Sequence, residues 1–471
     1  MSAALWHPHA YQRQAIKFLL EHGAAGLFLD PGLGKTAIAL GAFTILKRDA
    51  LAERMLVVAP LRPAQLVWPA EIAKWAQFNA LRCVVLHGKD KREEHLRPGK
   101  FDVYVINYEG LDWLARQRGL DSFFAVLCLD ESTKIKHTRT QRFKTLRNLL
   151  DRFARRWILT GTPAPNGLLD LFGQIFALDQ GHALGRFITH YKAAYFMPTG
   201  YGGYQWTPMR DAPRKIYERL APLVLRMSEQ DYLKLPPLTV PAPIVVELPR
   251  AARRAYDQLE RDLFARLDAG EVTAVNAAVA LMKCRQVANG GVYVDLEGED
   301  DVKTRRVEHL HDAKTEAVKD LVDELSGQPV LIAYEFAHDL ARLRKALGAN
   351  VPHIGGGING KALREIERAW NAGEIDKLLV QPQSAAHGLN LQAGGRALIW
   401  HSLTYSWEDY DQLVRRVYRQ GQTQRVFVYR IVARDTVDEP IIAALNAKRR
   451  GQQALFDALT RYRGKRRPGT P

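Results

Sequence analysis

Little sulfur, no bilayer-length apolar run and a shortage of acid characterise this 471-residue chain before any motif does. Its three cysteines, Cys83, Cys128 and Cys284, are odd in number and far apart. That excludes a disulfide framework and a cysteine zinc site, and it suits a reducing cytoplasm. Cys128 falls in the apolar run Ala125–Leu129, where a thiol packs as a small hydrophobe. No apolar stretch reaches the roughly 20 residues a spanning helix needs, so no membrane partner is expected. Met1–His9 lacks the basic-then-apolar order of a secretory leader. Asp and Glu number 51 against 67 Lys and Arg, for a net charge of +16. Such an excess points to a polyanionic partner, nucleic acid first, without choosing DNA over RNA. Apolar residues are not short, at 47%, and the length suffices for two large lobes with insertions.

Asp30-Pro31-Gly32-Leu33-Gly34-Lys35-Thr36 stands between an apolar run, Ala24–Leu29, and a helical pattern, Ala37–Leu46. Glycines there let the backbone turn its N–H groups toward an anion, and the helix start adds its positive end. Gly32, Leu33, Gly34, Lys35 and Thr36 are therefore candidate nucleotide-binding residues. Lys35 would neutralise the β- and γ-phosphates and the Thr36 hydroxyl would ligate Mg²⁺. Leu29 stands where the full phosphate-loop pattern has Gly. Without partners downstream, the stretch would be an ordinary strand-to-helix turn with Lys35 in solvent.

Those partners follow in order. Tyr11-Gln12-Arg13-Gln14 opens a helix, and the Gln12 amide could read an adenine edge or lie in solvent. Met55–Pro60, Val84–Leu86 and Val103–Ile106 read as buried parallel strands alternating with helices, the pattern of a doubly wound α/β sheet. A further run, Phe123–Leu129, ends in Asp130-Glu131-Ser132, at the strand end where such sheets bind ligands. Asp130 can hold Mg²⁺ through water, and Glu131 can polarise the attacking water. Trp157–Leu159 then leads into Thr160-Gly161-Thr162-Pro163.

With these motifs in place, the chain resembles a superfamily-two helicase, in the Swi/Snf-like branch of ATP-dependent DNA translocases. Gly32–Thr36, Asp130-Glu131, Leu159–Pro163 with Asn166, and Pro60, Trp68, Glu71 and Trp75 carry the likeness, and Gln12 falls at the branch's adenine-reading position. Ser132-Thr133 depart from the usual ending of the acidic motif, and Asn107-Tyr108-Glu109 match their motif in part. Leu281–Asn289 resembles the branch's own Leu-Arg-Gln…Asn signature, and Gly388-Leu389-Asn390-Leu391 a motif that contacts nucleic acid. Gln412, Arg416, Arg419, Gly421 and Gln422 reproduce the branch's Gln-x-x-x-Arg-x-x-Arg-x-Gly-Gln spacing. On a helix, Arg416 and Arg419 would share a face, and two such cations can reach a γ-phosphate; Arg415 beside them reads as solvated.

The resemblance implies two RecA-like doubly wound parallel-sheet lobes with helical insertions, ATP and Mg²⁺ as cofactors, double-stranded DNA as partner, and a monomer of compact phage or bacterial type. Lobe 1 is expected over residues 1–232, with an insertion at about 168–225 that reads as helices around one aromatic hairpin, Tyr195–Trp206. Prolines across 233–249 predict an extended connector. Lobe 2 is expected over 250–445, with an insertion at about 250–310 in which Gly290–Arg306 reads as a polar loop. Residues 446–471 form a basic tail. Two alternatives stay open: a strand-separating DNA or RNA helicase, with the hairpin as its wedge, and a nucleotide-gated binding protein without productive turnover.

Overall fold

The computed structural model describes residues 3–88, 93–199, 205–232, 235–268, 274–296, 304–385 and 389–464. The chain divides into two compact units, one built on residues up to 234 with those from 448 onward, the other on 235–447.

The first unit contains strands β1 (Ala24–Leu29), β2 (Met55–Ala59), β3 (Cys83–Leu86), β4 (Val103–Asn107), β5 (Val126–Asp130) and β6 (Arg155–Thr160), then an antiparallel hairpin of β7 (Phe196–Thr199) and β8 (Gln205–Pro208), and finally β9 (Val224–Met227). Its sheet is seven-stranded and parallel, ordered β3-β4-β2-β5-β6-β1-β9. Strands covered on both faces should read as unbroken apolar runs, and these do. Leu56 and Val58 of β2 pack into one core cluster while Met55, Val57 and Ala59 pack into the other. The period of two along the strand sends alternate side chains to opposite helix layers.

β9 corrects the helical reading of the 168–225 insertion. Its four residues return to the sheet and pair with β1. Val224-Leu225-Arg226-Met227 was concealed because a charged residue interrupts a short run.

The second unit contains β10 (Leu238–Thr239), β11 (Ile244–Val246), β12 (Gly291–Leu296), β13 (Thr304–His309), β14 (Val330–Ala333), β15 (His353–Ile354), β16 (Lys377–Val380), β17 (Ala397–Trp400) and β18 (Val426–Ala433). Its parallel sheet runs β10-β18-β17-β14-β16-β15, with β11 also pairing β18. Here too β14 splits its side chains, Leu331 and Ala333 to one cluster and Val330 and Ile332 to the other. Leu235–Pro249 is extended, and two pieces of it, β10 and β11, join this sheet. Of the polar loop expected from Gly290 to Arg306, the described residues instead form an antiparallel ladder of β12 and β13, Gly291 opposite His309 and Leu296 opposite Thr304, and 297–303 lie outside the described residues. Val292, Tyr293 and Val294 supply the β propensity that the flanking charges concealed. Among the described residues no helix is long and apolar enough to cross a membrane.

Candidate nucleotide site and the arginine segment

The candidate phosphate loop lies between a strand and a helix, as its sequence predicts. β1 ends at Leu29 and the next helix spans Lys35–Arg48. Gly32 and Gly34 have φ of 94° and 77°, so both occupy the left-handed region. A side chain at Gly34 would also meet the Gln12 amide nitrogen at 2.7 Å. That amide is tied to the loop: Gln12 Oε1 accepts from the His9 N–H at 2.9 Å, and Nε2 donates to the Leu33 carbonyl at 3.3 Å. One N–H and one lone pair of the amide stay available for a base. Lys35 Nζ donates to the Leu29 carbonyl at 2.8 Å, which holds the ammonium over the loop. Thr36 is the second residue of the helix and is half-buried. The first N–H groups of that helix have no intrahelical acceptors, the arrangement that binds phosphate.

Below the loop lies a buried ion pair that sequence reading did not find. Arg226 Nη2 meets Asp30 Oδ1 at 2.8 Å, and both side chains are 4% exposed. Arg226 Nη1 also donates to the Phe28 carbonyl at 3.1 Å. The two residues are 196 positions apart, and only the pairing of β9 with β1 brings them together.

The acidic turn follows β5. Asp130 Oδ2 accepts the Trp68 indole N–H at 3.0 Å, and Oδ1 accepts the Glu131 N–H at 3.1 Å. Burial pushes the Asp130 carboxyl up, while the Trp68 N–H, the Lys35 charge and the Glu131 N–H pull it back down. Each carboxylate oxygen retains a lone pair, so the donor set fits water-mediated Mg²⁺, with Thr36 as second ligand. Glu131 has φ 51° and ψ 58°, left-handed without being glycine. The Tyr108 hydroxyl donates to the Asp130 carbonyl at 2.8 Å. Burial raises the pKa of Tyr108, so it remains a donor. Trp68 and Tyr108 belong to motifs visible in the sequence, but their grip on Asp130 was not.

After β6, Thr160 Oγ1 accepts the Thr162 N–H at 3.1 Å. The Thr162 hydroxyl is buried and has no hydrogen-bond partner among the described residues. β6 lies between β1 and β5. In a parallel sheet the carboxyl ends of all three share one edge, so loop, threonine turn and acidic pair stand in a row.

In the second unit, the helix Trp407–Val417 is capped by Ser406, whose hydroxyl accepts the Asp409 N–H at 3.1 Å. Arg416 is on its last turn, but the helix ends at Val417, so Arg419 is not on it and the shared helical face is corrected. Gly421, at φ 98°, marks the turn that follows. The two arginines converge differently, on the segment Leu389–Leu391. Arg416 Nη1 donates to the Leu389 carbonyl at 3.1 Å, and Arg419 Nη1 donates to Asn390 Oδ1. Glu367 accepts the Asn390 N–H at 2.7 Å; burial raises its carboxyl and the N–H and both guanidinium charges oppose that. Arg415 is not simply solvated: its Nε donates to Asp411 Oδ2 at 2.8 Å.

The Leu281–Asn289 signature anchors the edge of the second sheet. Asn289 Nδ2 donates to Ser402 Oγ at 2.7 Å and Asp339 Oδ2 at 3.1 Å, and its Oδ1 accepts from the fully buried Lys314 at 2.8 Å. Arg285 Nη2 donates to the Leu403 carbonyl at 2.6 Å.

The aromatic hairpin forms, but Tyr195 and Phe196 are buried in the core of their own unit. Trp206 is half-buried, with Lys192 over its ring at 4.6 Å. Gly200–Tyr204, Gly388 and the tail cations Lys465, Arg466 and Arg467 lie outside the described residues.

Comparison with known proteins adds to this geometry. The SNF2-related domain family matches residues 11–290, and the helicase conserved C-terminal domain family matches residues 313–421. Protein p41 of Acyrthosiphon pisum secondary endosymbiont phage 1 is 35% identical over 96% of this chain and 99% of its own length. The CHD3-type chromatin-remodeling factor CHR7 of Arabidopsis thaliana is 24% identical over 92% of this chain and 36% of its own length. This chain spans between 26% and 48% of the length of six such curated relatives, CHR7 among them. The SWI2/SNF2 ATPase core of Sulfolobus solfataricus, solved in complex with double-stranded DNA, is similar at 22% identity and TM-score 0.45, covering 95% of this chain and 93% of that one.

Proposed function

The chain belongs to the SNF2-related family of superfamily-two helicase-like ATPases, and we propose that it is an ATP-dependent motor that tracks along double-stranded DNA. The observation that carries this reading is the row at the edge of the first sheet: phosphate loop after β1, threonine turn after β6, Asp130-Glu131 after β5. Neighbouring strands lie about 4.8 Å apart, which puts loop and acidic pair about 10 Å apart, room for a triphosphate and a hydrated cation. Gly32–Thr36 and Lys35 hold the phosphates, and Gln12 faces the base. Mg²⁺, held by Thr36 and Asp130, neutralises phosphate charge when bound. Glu131 orients the attacking water, and Arg416 and Arg419 supply positive charge to the departing γ-phosphoryl group. The net charge of +16 supports a grip on the duplex backbone, which should weaken steeply with salt.

ATPase rates with duplex DNA, single-stranded DNA and RNA test the proposal, and duplex is expected to stimulate most. Equal rates with and without nucleic acid would favour a nucleotide-gated binder, and opening of a forked duplex would favour a strand-separating helicase. Lys35→Ala and Arg419→Ala should each abolish stimulated ATPase while DNA binding stays nearly intact. Retained turnover in either variant overturns that residue's role.

A further inference from the structure

The helix Leu171–Asp179 is packed tightly against the segment that follows the acidic pair. Gly173 makes the approach feasible, because any Cβ there would overlap the Ile135 carbonyl oxygen. One residue on, Gln174 is completely buried. Its Oε1 accepts the Ser132 hydroxyl at 2.7 Å. Its Nε2 donates to the Pro163 carbonyl at 2.6 Å and to the Asp170 carbonyl at 2.8 Å. Both N–H donors of the amide are thus engaged, along with one acceptor site. Ser132 adjoins Glu131, and Pro163 closes the turn that carries the partnerless Thr162 hydroxyl. One rigid amide plane therefore joins the hydrolytic turn to the threonine turn.

We propose that Gln174 is a positioning residue that couples these two turns, so that a shift of Glu131 during turnover moves the Thr160–Pro163 turn and the helix behind it. The inference rests on the motor reading above. It explains what Ser132 contributes in place of the usual residue: a hydroxyl donor that glutamine can accept. Glutamine suits the position because it accepts on one side and donates on the other. A carboxylate could accept from Ser132 but could not donate to Pro163, and an aliphatic side chain could do neither.

The test uses the full chain, with Ser132→Ala and Gln174→Met made singly and together. Basal ATPase, ATPase at saturating duplex DNA and melting temperature are measured for each. Basal turnover should stay within about twofold of the parent, while the stimulated-to-basal ratio falls by about tenfold in each single variant, the usual range for couplings of this kind. In the double variant the ratio should fall no further than in the worse single, because both changes break one linkage. Ser132→Thr, which keeps the hydroxyl, should restore the ratio, whereas Gln174→Glu should not. A lowered melting temperature with an unmoved ratio, or losses that multiply in the double variant, overturns the coupling role. A parent chain that duplex DNA does not stimulate at all overturns the motor reading instead, and the coupling role with it.

Discussion

Trp68→Phe isolates one hydrogen bond to the carboxylate expected to hold the metal. Trp68 is fully buried, and its indole N–H reaches Asp130 Oδ2 at 3.0 Å. Burial already raises the Asp130 pKa, and this N–H opposes that rise most strongly. A hydrogen bond to a charged group contributes about 1.5–3 kcal/mol. Losing it therefore raises the Asp130 pKa. The sign is fixed: the N–H stabilises the ionised form more than the neutral acid, so its removal favours the protonated acid, which holds Mg²⁺ poorly. The acid limb of kcat/KM for ATP should therefore move to higher pH, with saturating Mg²⁺ throughout. Trp157→Phe is the control. Trp157 is equally buried in the same core, and its indole N–H has no partner among the described residues. Both variants should lose about 1–3 kcal/mol of stability from the smaller ring. Only Trp68→Phe should move the acid limb. An unmoved limb, or an equal movement in Trp157→Phe, would refute the reasoning.

Three further outcomes are expected. Arg226→Met strips the buried Asp30 carboxylate of its guanidinium and should cost about 3–5 kcal/mol in denaturant unfolding; Arg226→Met with Asp30→Asn should recover most of that, and an unchanged midpoint in the single variant would count against the pair. Gly34→Ala forces an L-residue to φ 77°, a strain of about 1–2 kcal/mol, and presses on the Gln12 amide; ATP binding by calorimetry should weaken by about tenfold or more, and undiminished affinity would oppose the loop's role. In the second unit, burial pushes His401 down to about 3 and His311 down to about 4. Both folded values lie below the unfolded value of 6.5, so the unfolded chain takes up protons first as pH falls. Stability of that unit should be complete above pH 6.5 and decline between 6.5 and about 4, by up to about 1.4 kcal/mol per pH unit for each histidine. A melting temperature that does not change between about pH 7 and about pH 5 would contradict this.

What the sequence made legible was whatever is local. The Gly32–Thr36 loop, the Asp130-Glu131 turn and the strands β1, β2, β4, β14, β16 and β17 are short-range patterns, each defined within about ten residues. What it concealed depends on distant partners. β9 carries Arg226, which looks out of place in a strand until Asp30 is beside it. β12 and β13 are half-polar ladders, which periodicity reads as loop when charges flank them. β18 is interrupted by Tyr429-Arg430, and its pairing with β10, β11 and β17 stabilises it. The shared helical face expected of Arg416 and Arg419 fails because the helix ends at Val417. The residues meet around Asn390 because the chain turns, not because a helix repeats.

The acidic turn shows why so many buried polar contacts collect in one place. Glu131 holds a left-handed conformation that costs a non-glycine residue about 1–2 kcal/mol, and a relaxed turn would release that strain. Four contacts oppose relaxation. The Tyr108 hydroxyl holds the Asp130 carbonyl, the Asp130 carboxylate holds the Glu131 N–H, Trp68 holds that carboxylate, and Gln174 holds Ser132. At about 0.5–1.5 kcal/mol net for each of the two neutral bonds and about 1.5–3 kcal/mol for each of the two to the carboxylate, the set exceeds the strain it opposes. It follows that the Glu131 carboxylate is aimed by its neighbours' side chains rather than by its own backbone preference. Loss of the Tyr108 or Trp68 contact should loosen that aim before it unfolds the sheet, because β5 keeps parallel partners on both sides, whereas loss of the Ser132 contact, one residue further on, leaves Glu131 held by the other three.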